Sequence, residues 1–162
     1  MAAIKERPDP RKSLVGFMVG DVRYAVPIGD VQEIISPTVV TELPHAPLAI
    51  AGVADHRDQV IPILDLRVRF GLERQHDHRR SKWILVRVED KTMGLAVDRV
   101  TDVFGTGGID VRPAPSLGGG EDLRGILGVA SHDGKLVFVL DVARFHDLVA
   151  DLPLSPRLAE GI

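Results

Sequence analysis

The stretch Gly52 to Arg67, GVADHRDQVIPILDLR, returns without a gap as Gly128 to Ala143, GVASHDGKLVFVLDVA. Six of the first fourteen pairs are identical: Gly52/Gly128, Val53/Val129, Ala54/Ala130, His56/His132, Leu64/Leu140 and Asp65/Asp141. Val60/Leu136, Ile61/Val137 and Ile63/Val139 exchange one aliphatic side chain for another. This is an internal repeat. Working outward, Leu14 to Ile34 lies on Trp83 to Val103 at an offset of 69 residues, against 76 for the first pair. Asp21 then falls on Asp90, Val31 on Val100, Glu33 on Asp102 and Ile34 on Val103. Gly118-Gly119-Gly120 supplies an extra loop in the second half that accounts for the difference in offset. The chain therefore reads as two similar units of roughly 70 residues. Each opens with a hairpin and closes with a turn, an aliphatic strand and a short helix begun by aspartate.

Within the first unit, Leu14 to Val19 and Arg23 to Ile28 are apolar or aromatic around Gly20-Asp21, the pattern of a tight hairpin. Pro27 marks a strand end. Val31, Ile34 and Ile35 stand at helical spacing behind Asp30, which predicts a short helix over Gly29 to Ile35 with Asp30 as its N-cap. Thr38 to Leu43 is strand-like, and Pro44 to Pro47 is a bend. His56 to Gln59 is a predicted turn, because its repeat partner contains Asp133-Gly134. Val60 to Leu64 has the unbroken apolar run of a strand buried on both sides, and Asp65 is placed to cap a helix over Leu66 to Leu72. The second unit repeats the plan: a hairpin over Trp83 to Val97, a short helix or bend over Asp98 to Phe104, then strands and a helix from Asp141 to about Ala150. Two small antiparallel barrels with a shared core and little helix follow from that pattern. Residues 1–12 read as a flexible arm, 13–150 as the folded domain with a polar linker near 73–82, and 151–162 as a tail.

Composition narrows the function. A net charge of −3 and seven aromatic residues argue against a nucleic-acid binder. There is no cysteine, hence no disulfide framework and no thiolate site. Met1 to Ser13 lacks an apolar segment and no run approaches the ~18 residues of a membrane span, so a cytoplasmic protein without membrane insertion is expected. His56-Arg57-Asp58 spells a protein-kinase catalytic triplet, but Gln59 follows it and Ile63 stands where asparagine is required. Ser131-His132-Asp133 holds the residue types of a catalytic triad, yet adjacent residues cannot converge as nucleophile, base and orienter. His76-Asp77-His78 lacks a distant third ligand, and Gly118-Gly119-Gly120 precedes Glu121-Asp122 and not a phosphate-binding lysine. The expectation is no enzyme, no catalytic residue, no cofactor and no metal.

From Gly52 to Arg67 the chain resembles the CheW family of chemotaxis coupling proteins, whose hallmark is G-V-x-N-L-R-G-x-V-x-P-V/I-x-D-L-R. Further family marks occur in order: the Gly20-Asp21 hairpin, Val31-Gln32-Glu33-Ile34, Leu43-Pro44, Gly94 with Val97-Asp98, and Arg112-Pro113-Ala114-Pro115. The resemblance implies a mainly β fold of two intertwined five-stranded SH3-like barrels. It also implies a non-catalytic adaptor at receptor arrays near the inner membrane, joining the cytoplasmic tip of a methyl-accepting chemoreceptor to the regulatory domain of a CheA-type histidine kinase.

Carried over by position, the receptor-facing residues are Val31, Glu33, Ile34, Ile35, Gly52, Arg57 and Asp58. Glu33 and Arg57 are expected to pair and to fix the turn against the short helix. Val31, Ile34 and Ile35 would form an apolar ridge, and Gly52 would allow a partner backbone to come close. Asp55, His56 and Asp58 depart from the family's Asn, Leu and Gly, which points to a specialised receptor, for instance in gliding or other surface motility. Two alternatives make different predictions. A kinase-binding array spacer would bind kinase and no receptor, and a stand-alone SH3-like peptide module would bind short peptides and no kinase.

Overall fold

The computed structural model describes residues 13–74, 78–105, 112–113, 125–150 and 152. Its elements are β1 Ser13–Val19, β2 Val22–Pro27, β3 Val31–Ile35, β4 Ile50–His56, β5 Gln59–Asp65, α1 Leu66–Arg69, β6 Lys82–Val88, β7 Lys91–Val97, β8 Arg99–Gly105, β9 Ile126–His132, β10 Lys135–Leu140 and α2 His146–Ala150. The strands form two five-stranded sheets, ordered β8-β1-β2-β10-β9 and β3-β6-β7-β5-β4.

The sequence repeat runs β1 to β5 and then β6 to β10, but the sheets do not divide the chain there. Each half contributes its opening hairpin to the sheet built from the other half's last three strands. The repeat alignment and the strand register agree at every comparable point. Leu14↔Phe104, Val15↔Val103 and Phe17↔Val100 in the first sheet correspond to Trp83↔Ile35, Ile84↔Ile34 and Val86↔Val31 in the second. The parallel pair Val139↔Ala25 corresponds to Ile63↔Gly94. The halves are thus interlocked, and neither forms a complete sheet from its own strands.

Closure of each sheet into a barrel follows from the chain path. In the second sheet β3 and β4 lie at opposite edges, and the segment between them comes round so that Thr41 bridges Val53 on β4. Arg112 makes the same bridge to Val129 on β9 in the first sheet, and Val53 and Val129 are repeat partners. We call the sheet containing β1 barrel 1 and the other barrel 2.

Burial follows strand alternation. Along β1, β2, β6 and β7, alternate side chains (Val15, Phe17, Val19, Tyr24, Val26, Ile84, Val86, Val88, Met93, Leu95 and Val97) enter one central cluster shared by both barrels, joined by Leu64, Leu140 and Phe145. The opposite sides of these strands fill the barrel interiors: Leu14 and Ala25 with Ala130, Val137 and Val139 in barrel 1, and Trp83 and Leu85 with Ala54, Ile61 and Ile63 in barrel 2. Two-faced burial explains the nearly continuous apolar runs. Asp65 caps α1 by accepting from the Arg67 and Val68 amides at 3.0 and 3.3 Å, and Asp141 accepts from the Ala143 amide at 3.1 Å.

Several expectations are corrected. Gly29 to Ile35 is not a helix: a single 3-10 turn covers Ile28–Asp30, and Val31 to Ile35 is β3. Asp30 does not cap it, since Pro27 holds that position without a side-chain bond. Asp98 to Phe104 falls mostly in β8. A bulge between Val31 and Glu33 shifts the register of β3, and an equivalent one lies in β8 between Val100 and Val103. That phase slip spaces the apolar residues as 31, 34, 35 and 100, 103, 104, which imitates a helical stripe. Thr38 to Leu43 is not a strand and contributes one bridge, at Thr41. The barrels are not wholly antiparallel, because β10 runs parallel to β2 and β5 parallel to β7. The arm at 1–12, the Gly118-Gly119-Gly120 loop, His76-Asp77 and nearly all of the 151–162 tail lie outside the described residues. Of the 73–82 linker, the described residues up to Arg80 are exposed, whereas Ser81 is buried and Lys82 opens β6.

Candidate functional site

The β4–β5 connection is a two-residue turn with both residues left-handed, Arg57 at φ 51° and Asp58 at φ 64°. Its twist matches that of the flanking strands, and aspartate tolerates the conformation better than most residues. Because barrel closure brings β3 beside β4, the turn lies against Glu33. Arg57 Nη2 donates to Glu33 Oε1 at 2.8 Å and Arg57 Nε to Oε2 at 3.1 Å, a two-pronged guanidinium–carboxylate pair. His56 Nε2 lies 3.0 Å from the same Oε2. The expected Glu33–Arg57 pair is therefore formed, but it fastens the turn to a strand and not to a short helix.

The Arg57 hydrogen bond, and then that of His56, lowers the Glu33 pKa to about 2 from an ordinary 4.5. With the folded value below the unfolded one, this group's contribution to stability is fully present above pH 4.5 and is lost as pH falls towards 2. A carboxyl-detected NMR titration should find Glu33 ionised at pH 3 in the wild type. In Arg57→Gln its midpoint should move up towards the ordinary value.

The other positions separate. Ile34 is 39% exposed beside Glu33, whereas Ile35 packs into barrel 2 and Val31 against the central cluster. The three do not form one ridge: alternation turns Ile34 away from Ile35, and the bulge between Val31 and Glu33 puts Val31 on the other side from Ile35. Gly52 adopts φ 151°, and a Cβ there would run into the Thr41 carbonyl oxygen. The backbone that comes close to Gly52 in this structure is thus the chain's own. The Glu33–Arg57 pair stands at an open surface, with most of the Arg57 side chain exposed, apart from the recess of about 600 Å³ bounded by Gly20, Val22, Tyr24, Phe70, Leu72 and Asp98.

Gly20, expected only as a hairpin turn, Asp98, expected to open a short helix or bend, and Arg67, the last residue of the family hallmark, meet in one cluster. Asp98 Oδ2 accepts from Arg67 Nη1 at 2.6 Å and from the Gly20 amide at 2.7 Å. The clasp joins the β1–β2 turn, α1 and the β7–β8 corner, which belong to different barrels, and both side chains are largely buried. Asp98→Ala leaves Arg67 Nη1 and the Gly20 amide without this acceptor, while Arg67 Nε keeps its bond to the Glu73 carbonyl, and should cost about 2–3 kcal/mol in urea unfolding.

The repeat places a sister of the Glu33 cluster in barrel 1. His132 Nε2 lies 2.8 Å from Asp102 Oδ2, and Phe104 stacks on the imidazole at 3.8 Å. Hydrogen bonding from His132, and secondarily from Thr101, lowers the Asp102 pKa. Asp133 occupies the position of Arg57, at nearly the same φ, 52°.

The described residues include no helix long and apolar enough to cross a membrane. Residues 13–149 match the CheW-like domain family. The chain is 32% identical to Chemotaxis protein CheW of Helicobacter pylori over 79% of its length and 77% of that protein. It is 30% identical to Protein FrzA of Myxococcus xanthus, over 82% of each chain. A crystal structure of scaffolding protein TtCheW from Thermoanaerobacter tengcongensis superposes with a TM-score of 0.74 at 28% identity, covering 83% of this chain and 89% of that one.

Proposed function

The chain belongs to the CheW family, and from that premise we propose that it joins a chemoreceptor's cytoplasmic tip to the regulatory domain of a CheA-type histidine kinase, without chemistry of its own. Proteins of this family are scaffolding adaptors coupling chemoreceptors to CheA, and the chain is a coupling adaptor of a chemotaxis or related motility pathway. The observation that carries the finer reading is the Glu33–Arg57 pair. A rigid turn presents a guanidinium whose side chain is 72% exposed, held by two bonds to a strand of the same barrel. Such a group positions a polar partner surface with little ordering cost. Ile34 supplies adjoining apolar surface, and Asp58 completes the turn.

A second face supports a second partner. The β9–β10 hairpin at the edge of barrel 1 exposes Leu127 (49%) and Leu136 (55%). Scaffolding two partners requires faces that do not overlap, and these lie on different barrels. We assign the turn to the receptor and the hairpin to the kinase, with receptor arrays as the site of action.

Reconstitution tests the reading. With receptor in lipid discs and its kinase present, adding the chain should place kinase autophosphorylation under attractant control. If autophosphorylation responds to attractant equally without the chain, or not at all with it, the coupling reading is wrong.

A further inference from the structure

The geometry points to a divalent transition-metal site in barrel 1, formed by Asp102, His132 and Asp133, with zinc the best match to its donors. Asp102 lies on β8, at one edge of the sheet, and His132 ends β9 at the other, so barrel closure assembles the site. One nitrogen and two carboxylate oxygens lie within 4.8 Å of one another. His132 Nε2 is 2.8 Å from Asp102 Oδ2 and 3.6 Å from Asp133 Oδ2. Ligands of a tetrahedral zinc at ~2.05 Å stand about 3.3 Å apart, so the two His132 separations need changes of about half an ångström, and the two carboxylates, within 4.8 Å of each other, close by at most about 1.5 Å. Two partners outside the donor set orient it: the Phe104 ring lies nearly parallel to the imidazole, at 7°, and Thr101 Oγ1 donates to Asp102 Oδ1 at 3.0 Å, leaving Oδ2 for the site.

The other half of the molecule provides independent support. Its equivalent carboxylate, Glu33, does hold a cation, the Arg57 guanidinium, at 2.8 and 3.1 Å, with the His56 imidazole 3.0 Å from the same carboxylate. Where the first half carries that cation covalently, the second carries Asp133 and so adds a donor to a pocket of the same design. Imidazole with two carboxylates suits zinc, cobalt or nickel better than magnesium or calcium, which favour oxygen throughout. A bound metal would give the barrel 1 turn the positive pole that Arg57 gives the barrel 2 turn. This goes beyond the adaptor reading and does not depend on it.

The test is calorimetry of the full chain with zinc, accompanied by amide NMR with cobalt as a paramagnetic probe. One-to-one binding is expected, with cobalt broadening centred on Asp102, His132 and Asp133. His132→Gln should weaken it by about tenfold or more. Asp133→Arg should abolish it, and the variant should fold, because Arg57 occupies the equivalent turn position at φ 51°. His56→Gln should bind as the wild type does. The assignment is overturned if the wild type shows no saturable binding up to about 1 mM, a free energy near −4 kcal/mol. It is equally overturned if Asp133→Arg binds undiminished or if the broadening centres elsewhere.

Discussion

Gly52→Val should cost about 4 kcal/mol or more and open barrel 2 at the seam between Thr41 and β4. Two effects act together. At φ 151° a β-branched residue is strained whatever the surrounding space, and its Cβ would meet the Thr41 carbonyl oxygen and the Val40 side chain. Neither neighbour can step aside cheaply. Thr41 is held to Val53 by two backbone hydrogen bonds of 2.8 Å, and Val40 packs on the barrel 2 interior. Losing the bridge therefore loses the closure of the barrel, with Ala54, Ile61 and Ile63 behind it. Urea unfolding should show a large fall in midpoint, and amide exchange should quicken at Thr41 and Val53. Gly29→Ala is the contrast, since a Cβ there meets nothing within 4 Å and the change should be nearly silent. If Gly52→Val is equally silent, the closure drawn between Thr41 and Val53 is not what holds the barrel.

Arg57→Glu should abolish receptor-dependent kinase control while leaving the fold intact. The substitution sets a carboxylate against Glu33 and removes both prongs of the pair, so the turn loses its lock and the surface changes sign. Because the Arg57 side chain is 72% exposed, the loss should appear mainly in recognition and hardly in stability. Receptor affinity should fall about tenfold or more, since like charges across an interface suppress binding. Kinase-domain affinity should be unchanged, because Leu127 and Leu136 lie on the other barrel. The charge-swapped double variant, Glu33→Arg with Arg57→Glu, separates two roles. Recovery of receptor binding would mean that the pair serves by rigidifying the turn; continued loss would mean that the guanidinium itself is recognised. An unfolded Arg57→Glu protein, or one with unaltered coupling, would remove Arg57 from the site.

Much of this was legible in the residues. The repeat was visible because both halves solve the same packing problem with the same alternation; it matched Glu33 with Asp102 and His56 with His132, but not that carboxylate and imidazole meet in each barrel. The family resemblance implied intertwined barrels, and the structure has them, but the strand pattern alone did not show the exchange of hairpins, since an apolar strand records that it is buried and not which strand it lies beside. A swapped and an unswapped pairing would use the same side chains at Val15, Phe17, Ile84 and Val86. The β3 error had a local cause: the bulge at Val31–Glu33 shifted the apolar phase, and propensity alone could have warned that Val-Gln-Glu-Ile-Ile is rich in β-branched residues. Gly52 was singled out as a place where a partner backbone could come close; the backbone that does so is the chain's own Thr41, a contact between distant segments that only the closed barrel creates. The Arg67–Asp98 clasp escaped for the same reason, because its members are 31 residues apart and meet only when the barrels pack.

On the proposed reading, one protein of 162 residues holds receptor and kinase at once. The most direct measurement is a calorimetric titration of the receptor's cytoplasmic tip into this chain, first alone and then saturated with the regulatory domain of its kinase. Two separable sites predict receptor binding of about one-to-one stoichiometry in both titrations, with an affinity undiminished by the kinase domain. Displacement of one partner by the other, or absence of receptor binding in either titration, would contradict the account.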